Sequence, residues 1–366
     1  MHKKRDKFKT IGQEMKLKNI VVDDIDDIYH FESQKHTRTK AAKTLLEKGK
    51  TSFKSNINLV KGRVIEVVAN YNYKVEINEK SNVNCILSGR LKYIAHDTRN
   101  PLCVGDFVNV DVSDPENPRI EEILKRKNLL SRYVYQNNVL LAANIDQIVV
   151  LIAVKEPDFN ANLVDRYLCA AEIANIPAVL CVNKIDLGFG NLPSPPQSPL
   201  ANGGRAICDY YKNMGYEVVF TSTVTGEGIE ELRSQLLNKV TVFTGHSGTG
   251  KSSIINALEP GLKLKVGDVS QYHNKGTHTT SSSRMLTWSF GGYLIDTPGI
   301  KTLGLKPDDL DKVSTCFPGF SKYSDFCAFK DCIHVHEENC AIKENIGKTI
   351  PEERYKSYLS LRQNLC

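Results

Sequence analysis

Gly245-His-Ser-Gly-Thr-Gly-Lys-Ser252 decides how the rest of this 366-residue chain is read. It matches G-x-x-x-x-G-K-[ST]. It stands between Val240-Thr-Val-Phe-Thr244, which reads as a strand, and a helical segment at 251–258, the context a phosphate-binding loop requires. Glycines let such a backbone curl around phosphate oxygens. The amides of Gly248, Gly250, Lys251 and Ser252 then point inward, and the helix N-terminus adds a positive field. The Lys251 ammonium reaches the β- and γ-phosphates and the Ser252 hydroxyl ligates Mg²⁺, with Gly245, His246, Ser247, Thr249 and Ser253 completing the loop. A Gly-rich turn of purely structural use is the weaker reading.

Two earlier stretches bear on the base. Asn183-Lys-Ile-Asp186 ends a strand expected at 178–182. The Asp186 carboxylate can accept from N1–H and the N2 amine of guanine. Adenine offers neither donor there and would leave the carboxylate unpaired. Asn183 can ligate the purine edge and tie loops together, and the stem of Lys184 can cover the base face. Thr221-Ser222-Thr223 ends the next strand and precedes a helix at 229–237, the place for a loop that meets the guanine O6. Ser222 and Thr223 are its candidate contacts. After the P-loop, Asp296-Thr-Pro-Gly299 follows a hairpin expected at 285–295. D-x-x-G arises about once per chain of this size, so only its position gives it weight. Asp296 would hold Mg²⁺ through water and the Gly299 amide would sense the γ-phosphate. Gly276-Thr-His-Thr-Thr-Ser281 lies between, with Thr280 the first candidate for a second Mg²⁺ hydroxyl and Thr279 the next.

The order of these loops is itself informative. Asn183–Asp186 and Thr221–Thr223 precede the P-loop, whereas a small GTPase has them after it. The same site is rebuilt when old termini are joined and the chain is opened elsewhere, a circular permutation. The alternation of strands and helices from about residue 140 predicts a mostly parallel doubly wound sheet, with ligands at the carboxyl ends of its strands.

Upstream, β-rich runs at 60–68, 73–77, 84–87, 107–112 and 120–124 predict a small closed barrel, with the OB-fold the leading candidate. The expected domains are an arm at 1–57, a barrel at 58–126, a permuted GTPase domain at 127–305 and a metal-binding domain at 306–366. A proline-rich stretch at 191–204 reads as an exposed insertion. Residues 1–54 hold 14 Lys+Arg against 8 Asp+Glu, a surplus of six that equals that of the whole chain. Such an arm either contacts phosphate backbones or is a solvated extension, with some helix expected near 39–48.

Hydrophobic content of 41% and charged content of 25% fit a globular chain and exclude global disorder. The longest apolar run, 148–154, is far short of the ~20 residues a membrane span needs, and the N-terminus resembles neither a secretory nor a transit leader. The ten cysteines are too sparse for a disulfide scaffold and point to a reducing, cytoplasmic compartment. Cys327-x₄-Cys332-x-His334-x₅-Cys340 supplies three thiolates and an imidazole, a closed set suited to one structural zinc, with His336 a competing ligand or a bystander. The helix expected at 351–361 carries Arg354, Tyr355, Lys356 and Tyr358, followed by Arg362; it is either an RNA-facing surface or an ordinary solvated helix.

Together these motifs resemble the ribosome small-subunit-dependent GTPase A family (RsgA, also called YjeQ) over about 58–366. The stretches Lys127-Asn-Leu-Leu-Ser-Arg132, Ala142-Ala-Asn-Ile-Asp146 and Asp165-Arg-Tyr167 are similar as well. The resemblance implies a monomeric, Mg²⁺-dependent GTP hydrolase acting late in small-subunit maturation, stimulated by the subunit and its rRNA, with no membrane partner. Ras-type enzymes place a Gln directly after D-x-x-G to orient water. Here that position is Ile300, so His278 is the candidate for orienting water in catalysis, a role the resemblance supports. Two alternatives stand beside this reading. One is a GTP-switched RNA-binding module with little turnover. The other, an ATPase or P-loop kinase, conflicts with Asp186.

Overall fold

The computed structural model describes residues 57–68, 71–78, 81–94, 101–134, 137–188, 206–262, 283–296, 305 and 307–365. The arm through residue 56, the insert at 191–204, and His278, Thr279, Thr280, Gly299 and Ile300 lie outside them. The chain divides into two compact units, one ending at Lys127 and one beginning at Asn128.

The first unit is the expected barrel. Strands β1 (Leu59–Val67), β2 (Asn72–Ile77) and β3 (Ser81–Leu87) are followed by helix α1 (Gly89–Ile94), β4 (Phe107–Asp111) and β5 (Arg119–Ile123). β1 pairs with β2 and β4, β2 with β3, β4 with β5, and β3 runs parallel to β5, so the sheet closes. Alternate residues point inward, and Val64, Tyr73, Val75, Cys85, Leu87, Val108, Val110 and Ile120 fill the interior. Arg126 seals the end of this unit. Its guanidinium donates to both carboxylate oxygens of buried Asp106, at 2.6 and 2.7 Å, and to the Pro101 carbonyl at 2.8 Å.

The second unit opens with a hairpin that the sequence reading missed, β6 (Leu129–Val134) with β7 (Asn137–Ala143). Asn128 fastens it, accepting from the Ile145 amide and donating to the Ile145 carbonyl, both at 2.8 Å. The Asp146 carboxylate accepts from the Val240 amide at 2.9 Å. The alternation then proceeds as β8 (Gln147–Ala153), α2 (Ala161–Ile173), β9 (Ala178–Asn183), α3 (Ala206–Asn213), β10 (Glu217–Phe220), α4 (Ile229–Leu236), β11 (Val240–Thr244), α5 (Lys251–Leu258), β12 (Arg284–Thr287) and β13 (Tyr293–Asp296). Parallel pairings give the order β10–β9–β8–β11–β13, with β12 antiparallel at the end. β8 and β11 are buried at every position, as strands covered on both faces must be; β8 is apolar from Ile148 onward, while β11 buries Thr241 and Thr244 among its apolar residues.

The C-terminal segment adds α6 (Leu310–Cys316), α7 (Ser321–Ser324), α8 (Ala341–Glu344) and α9 (Glu352–Gln363). Here the structure departs from both readings of the last helix, as an RNA-facing surface or as an ordinary solvated helix. Arg354, Ser357, Tyr358 and Leu361 recur at helical spacing and are buried, so the cation belongs to the inward stripe. Arg354 is 3% exposed. It forms an ion pair with Asp165 of α2 and donates to the Tyr211 hydroxyl at 3.0 Å and the Pro318 carbonyl at 3.1 Å. Tyr211 in turn donates to Asp165 at 2.8 Å. Burial pushes the guanidinium down toward about 9, and the Asp165 carboxylate opposes that shift. Arg362 donates to the Leu310 carbonyl at 3.1 Å, which leaves Lys356 as the exposed cation of that set.

Arg354→Met would strand the Asp165 carboxylate in the interior. Chemical denaturation should show a loss of about 3–5 kcal/mol, and the pair Asp165→Asn with Arg354→Met should lose less than Arg354→Met alone. An unchanged denaturation midpoint for the single variant would refute this role.

Candidate nucleotide-binding site and metal centre

The candidate nucleotide residues among those described gather at the carboxyl ends of β9, β10, β11 and β13. β11 delivers the chain into the loop, where Gly245, Gly248 and Gly250 adopt φ of 144°, 85° and 95°. Two of these glycines answer to close approaches. A Cβ on Gly245 would collide with the Leu151 carbonyl, and one on Gly250 with Nδ2 of Asn183. Thr249 closes the loop by donating to the His246 carbonyl at 2.9 Å. Buried Lys251 lies across it, its Nζ 2.6 and 2.7 Å from the carbonyls of Gly245 and His246. Ser252 is buried in the first turn of α5, Ser253 is half-buried, and His246 and Ser247 face solvent. Gly250 caps the helix from the left-handed region, so the first-turn amides of α5 keep no side-chain cap.

Asn183 holds three loops together. It is 1% exposed. Its Nδ2 donates to the Thr249 carbonyl at 2.9 Å and its Oδ1 accepts from Thr221 at 3.2 Å. It thus serves as the tie between loops that the sequence suggested, and its amide faces the P-loop. Asp186 is exposed, as a base-reading carboxylate needs to be. Ser222 donates to its Oδ1 at 2.6 Å and accepts from the amides of Val224 and Thr225, both at 3.2 Å. The buried hydroxyl therefore orients the carboxylate, while Thr223 stands half-exposed beside it. Asp296 ends β13; β13 is in parallel register with β11 through Val242 and Ile295, so Asp296 emerges beside the start of the P-loop.

Three contributions escaped the sequence reading. The Lys184 ammonium donates to the carbonyl of Glu156, which fixes the side chain whose stem would cover a base. Pro157 lies against Gly248. A Glu-Pro pair just past the carboxyl end of β8 was the available clue, because ligands sit at such ends. The Tyr167 hydroxyl bonds Thr244, directly before the P-loop.

The second cluster lies in the C-terminal segment. One donor atom each from Cys327, Cys332, His334 and Cys340 fall within 4.8 Å of one another. His334 Nδ1 is 3.6 Å from Cys327 Sγ and 3.4 Å from Cys340 Sγ, and the two sulfurs are 3.9 Å apart. Sulfur at ~2.3 Å and nitrogen at ~2.0–2.1 Å from a tetrahedral centre would stand about 3.5–3.8 Å apart, so the donors fit one small ion. His336 is exposed and outside the cluster. Burial lowers the His334 pKa and favours the neutral, ligating imidazole, while it pushes the Cys332 thiol up to about 12. Thiolates in this place therefore need a compensating cation. Helix α9 braces the loop: Tyr355 donates to the His334 carbonyl at 2.7 Å, and Tyr358 donates to that of Ile333.

The sequence profile of the RsgA GTPase family matches residues 123–306. The Bacteroides thetaiotaomicron protein named small ribosomal subunit biogenesis GTPase RsgA 2 is 35% identical over 83% of this chain and 97% of its own length. A similarly named protein of Caldanaerobacter subterraneus is 35% identical over 82% and 94%. The crystal structure of YjeQ from Thermotoga maritima superimposes with a TM-score of 0.64 at 32% identity, covering 84% of this chain and 99% of that one. YloQ, described as a circularly permuted GTPase, shares the fold at a TM-score of 0.61 and 24% identity, over 84% and 95%. Among the described residues no helix is long and apolar enough to cross a membrane.

Gly250→Ala would drive Asn183 off the Thr249 carbonyl and force a β-carbon into the left-handed region. Titration with a fluorescent guanine nucleotide should show affinity falling by about tenfold to a hundredfold while the far-ultraviolet circular dichroism is kept. Parent-like affinity would show that the Asn183 tie does not shape the site.

Proposed function

The chain belongs to the RsgA GTPase family, and from that membership we propose that it hydrolyses GTP on the small ribosomal subunit, late in the maturation of that particle, with the subunit stimulating turnover. GTP hydrolysis is the family's activity, and the relatives' names supply the partner. The observation that carries the reading is Asn183 bonded to the P-loop at Thr249, because it joins a base-reading loop to a phosphate-binding loop across a permuted chain. The proposed partner places the protein in the cytoplasm with ribosomes and their rRNA, acting as a monomer.

In this reading the residues act as follows. Lys251 and the amides from Gly248 to Ser252 bind the β- and γ-phosphates; Asp186, held by Ser222, pairs with guanine, and Lys184 covers the base. Ser252 and Thr280 or Thr279, with Asp296 through water, offer the hard oxygen donors that suit Mg²⁺. When bound, that ion neutralises charge on the phosphate oxygens. Water attacks the γ-phosphorus, the bond to the β–γ bridging oxygen breaks, and GDP and phosphate leave. The Gly299 amide senses the γ-phosphate. Ile300 cannot orient the water, so we assign that task to His278 on a loop ordered by rRNA. The domain assignment follows: a basic arm at 1–57, an OB barrel at 58–126, the GTPase at 127–305 and a zinc-bearing segment at 306–366.

GTP turnover measured with and without purified small subunits tests this directly. A large stimulation is expected, and His278→Ala should keep nucleotide affinity and subunit binding while losing the stimulation. Tight GTP-dependent subunit binding without stimulation in the parent would instead make the chain a switch module. Retained stimulation in His278→Ala would remove that side chain from the mechanism.

We assign a single structural zinc to Cys327, Cys332, His334 and Cys340, since a closed Cys₃His set leaves no open position for chemistry. Metal analysis should find one equivalent in the reduced protein. Cys332→Ser should lower that content and the melting temperature together, because α9 is braced on the same loop. Protein purified without any metal and melting like the loaded form would contradict the assignment.

A further inference from the structure

We propose that the metal-bearing loop is a docking surface for a basic protein segment, gripped by Phe326 and Phe329 and by the acidic groups around them. Phe326 is 78% exposed, Phe329 53% and Val335 37%. Phe326 and Phe329 are the aromatic members of the exposed large hydrophobic side chains among the described residues. The core beneath has no need of them: Phe317, Phe320, His334 and Tyr358 already pack there, with Phe317 and Phe320 4.7 Å apart between ring centroids. Nor is their position loosely held. The Phe326 amide donates to the Tyr323 carbonyl at 3.0 Å, Ala328 to Asn339 at 3.3 Å, and Cys332 to the Phe329 carbonyl at 3.3 Å. Both rings are therefore carried on a pinned turn, Phe326 directly before the candidate ligand Cys327 and Phe329 between Cys327 and Cys332. Exposed aromatics on a rigid support are what a docking surface presents.

Charge selects the occupant. Residues 321–344 contain Asp325, Asp331, Glu337, Glu338 and Glu344 against Lys322, Lys330 and Lys343. Lys322 donates to the Asn213 carbonyl at 2.6 Å and Lys343 to the Glu337 carbonyl at 2.9 Å. Glu337 is itself turned inward, accepting from the amides of Ile333, Val335 and His336. Asp325, Asp331, Glu338 and Glu344 are on the exposed surface against Lys322 and Lys330, which leaves an acidic surplus there. A divalent ion held by three thiolates would add one further negative charge. A phosphate backbone meets repulsion here. Arginine and lysine side chains meet carboxylates to pair with and phenyl faces to stack on. The surface is thus opposite in sign to the arm that holds the chain's positive surplus, and it stands whether or not subunits stimulate GTP turnover.

The test titrates the full chain with a short synthetic arginine–glycine repeat peptide and, separately, with oligouridylate of equal length. Peptide affinity should weaken about tenfold in Phe326→Ser with Phe329→Ser, with metal content and GTP turnover unchanged. Asp325→Asn with Glu338→Gln, which keeps both rings, should weaken it about threefold and flatten its salt dependence. Should the paired Phe variant lose its metal, this second variant decides by the same criterion. Absence of peptide binding by the parent, or parent-like affinity in both variants, overturns the proposal. Loss of oligouridylate binding alone in the Phe variant would make the surface an RNA contact and overturn it as well. Binding gained only on removal of residues 1–56 would make the chain's own arm the occupant, which also overturns it.

Discussion

A single buried amide, that of Asn183, sets the geometry on which the nucleotide site depends. Its Nδ2 holds the P-loop carbonyl of Thr249 and its Oδ1 takes the hydroxyl of Thr221. Three strand ends are thereby joined by side-chain bonds in a place closed to water, where an unmade bond costs about 1–3 kcal/mol. This explains why the order of the loops along the chain is free to change. The site requires only that β9, β10 and β11 deliver their carboxyl ends to one side of one sheet, which their parallel pairings ensure. Gly250 follows from the same constraint, since any side chain there would occupy the place of the Asn183 amide.

Permutation has a mechanical consequence. In this chain the strand that carries Asp296 leads outward to the C-terminal segment rather than back into the sheet. That segment returns to the sheet's flank through α9, where Arg354 meets Asp165 and Tyr211. Two residues further along α2, Tyr167 bonds Thr244 at the entrance to the P-loop. One helix therefore touches both the phosphate-binding strand and the last helix of the chain. The same helix holds the carbonyls of the metal-bearing loop through Tyr355 and Tyr358. These contacts form a continuous packed path, and densely packed interiors of low compressibility transmit strain.

Opposite charges are also kept apart along the sequence. The positive surplus belongs to the first 54 residues, whereas residues 321–344 are acidic. Under the proposed function the partner is a particle of RNA and protein, and charges separated along a chain in this way let long-range fields orient it before close contact forms.

Motifs whose chemistry is local were legible in the order of the amino acids alone. A phosphate loop needs glycine at fixed offsets and a following helix, a guanine-reading carboxylate needs a strand end, and a metal cluster needs its donors within a few turns of chain. All of that is short-range and leaves a pattern. The buried strand β8 was equally legible, because burial on both faces writes the apolar run 148–154. The hairpin at 129–143 was not, because its fastening depends on Asn128 meeting Ile145 and Asp146 meeting Val240, partners distant in sequence. The direction in which the last helix faces came from tertiary packing. Arg354, Tyr355 and Tyr358 have the composition of a nucleic-acid surface, and nothing local marks them as inward. The decision lies with Asp165 and Tyr211, well over a hundred residues earlier, whose carboxylate and hydroxyl supply in the interior the polar partners a guanidinium otherwise finds in water.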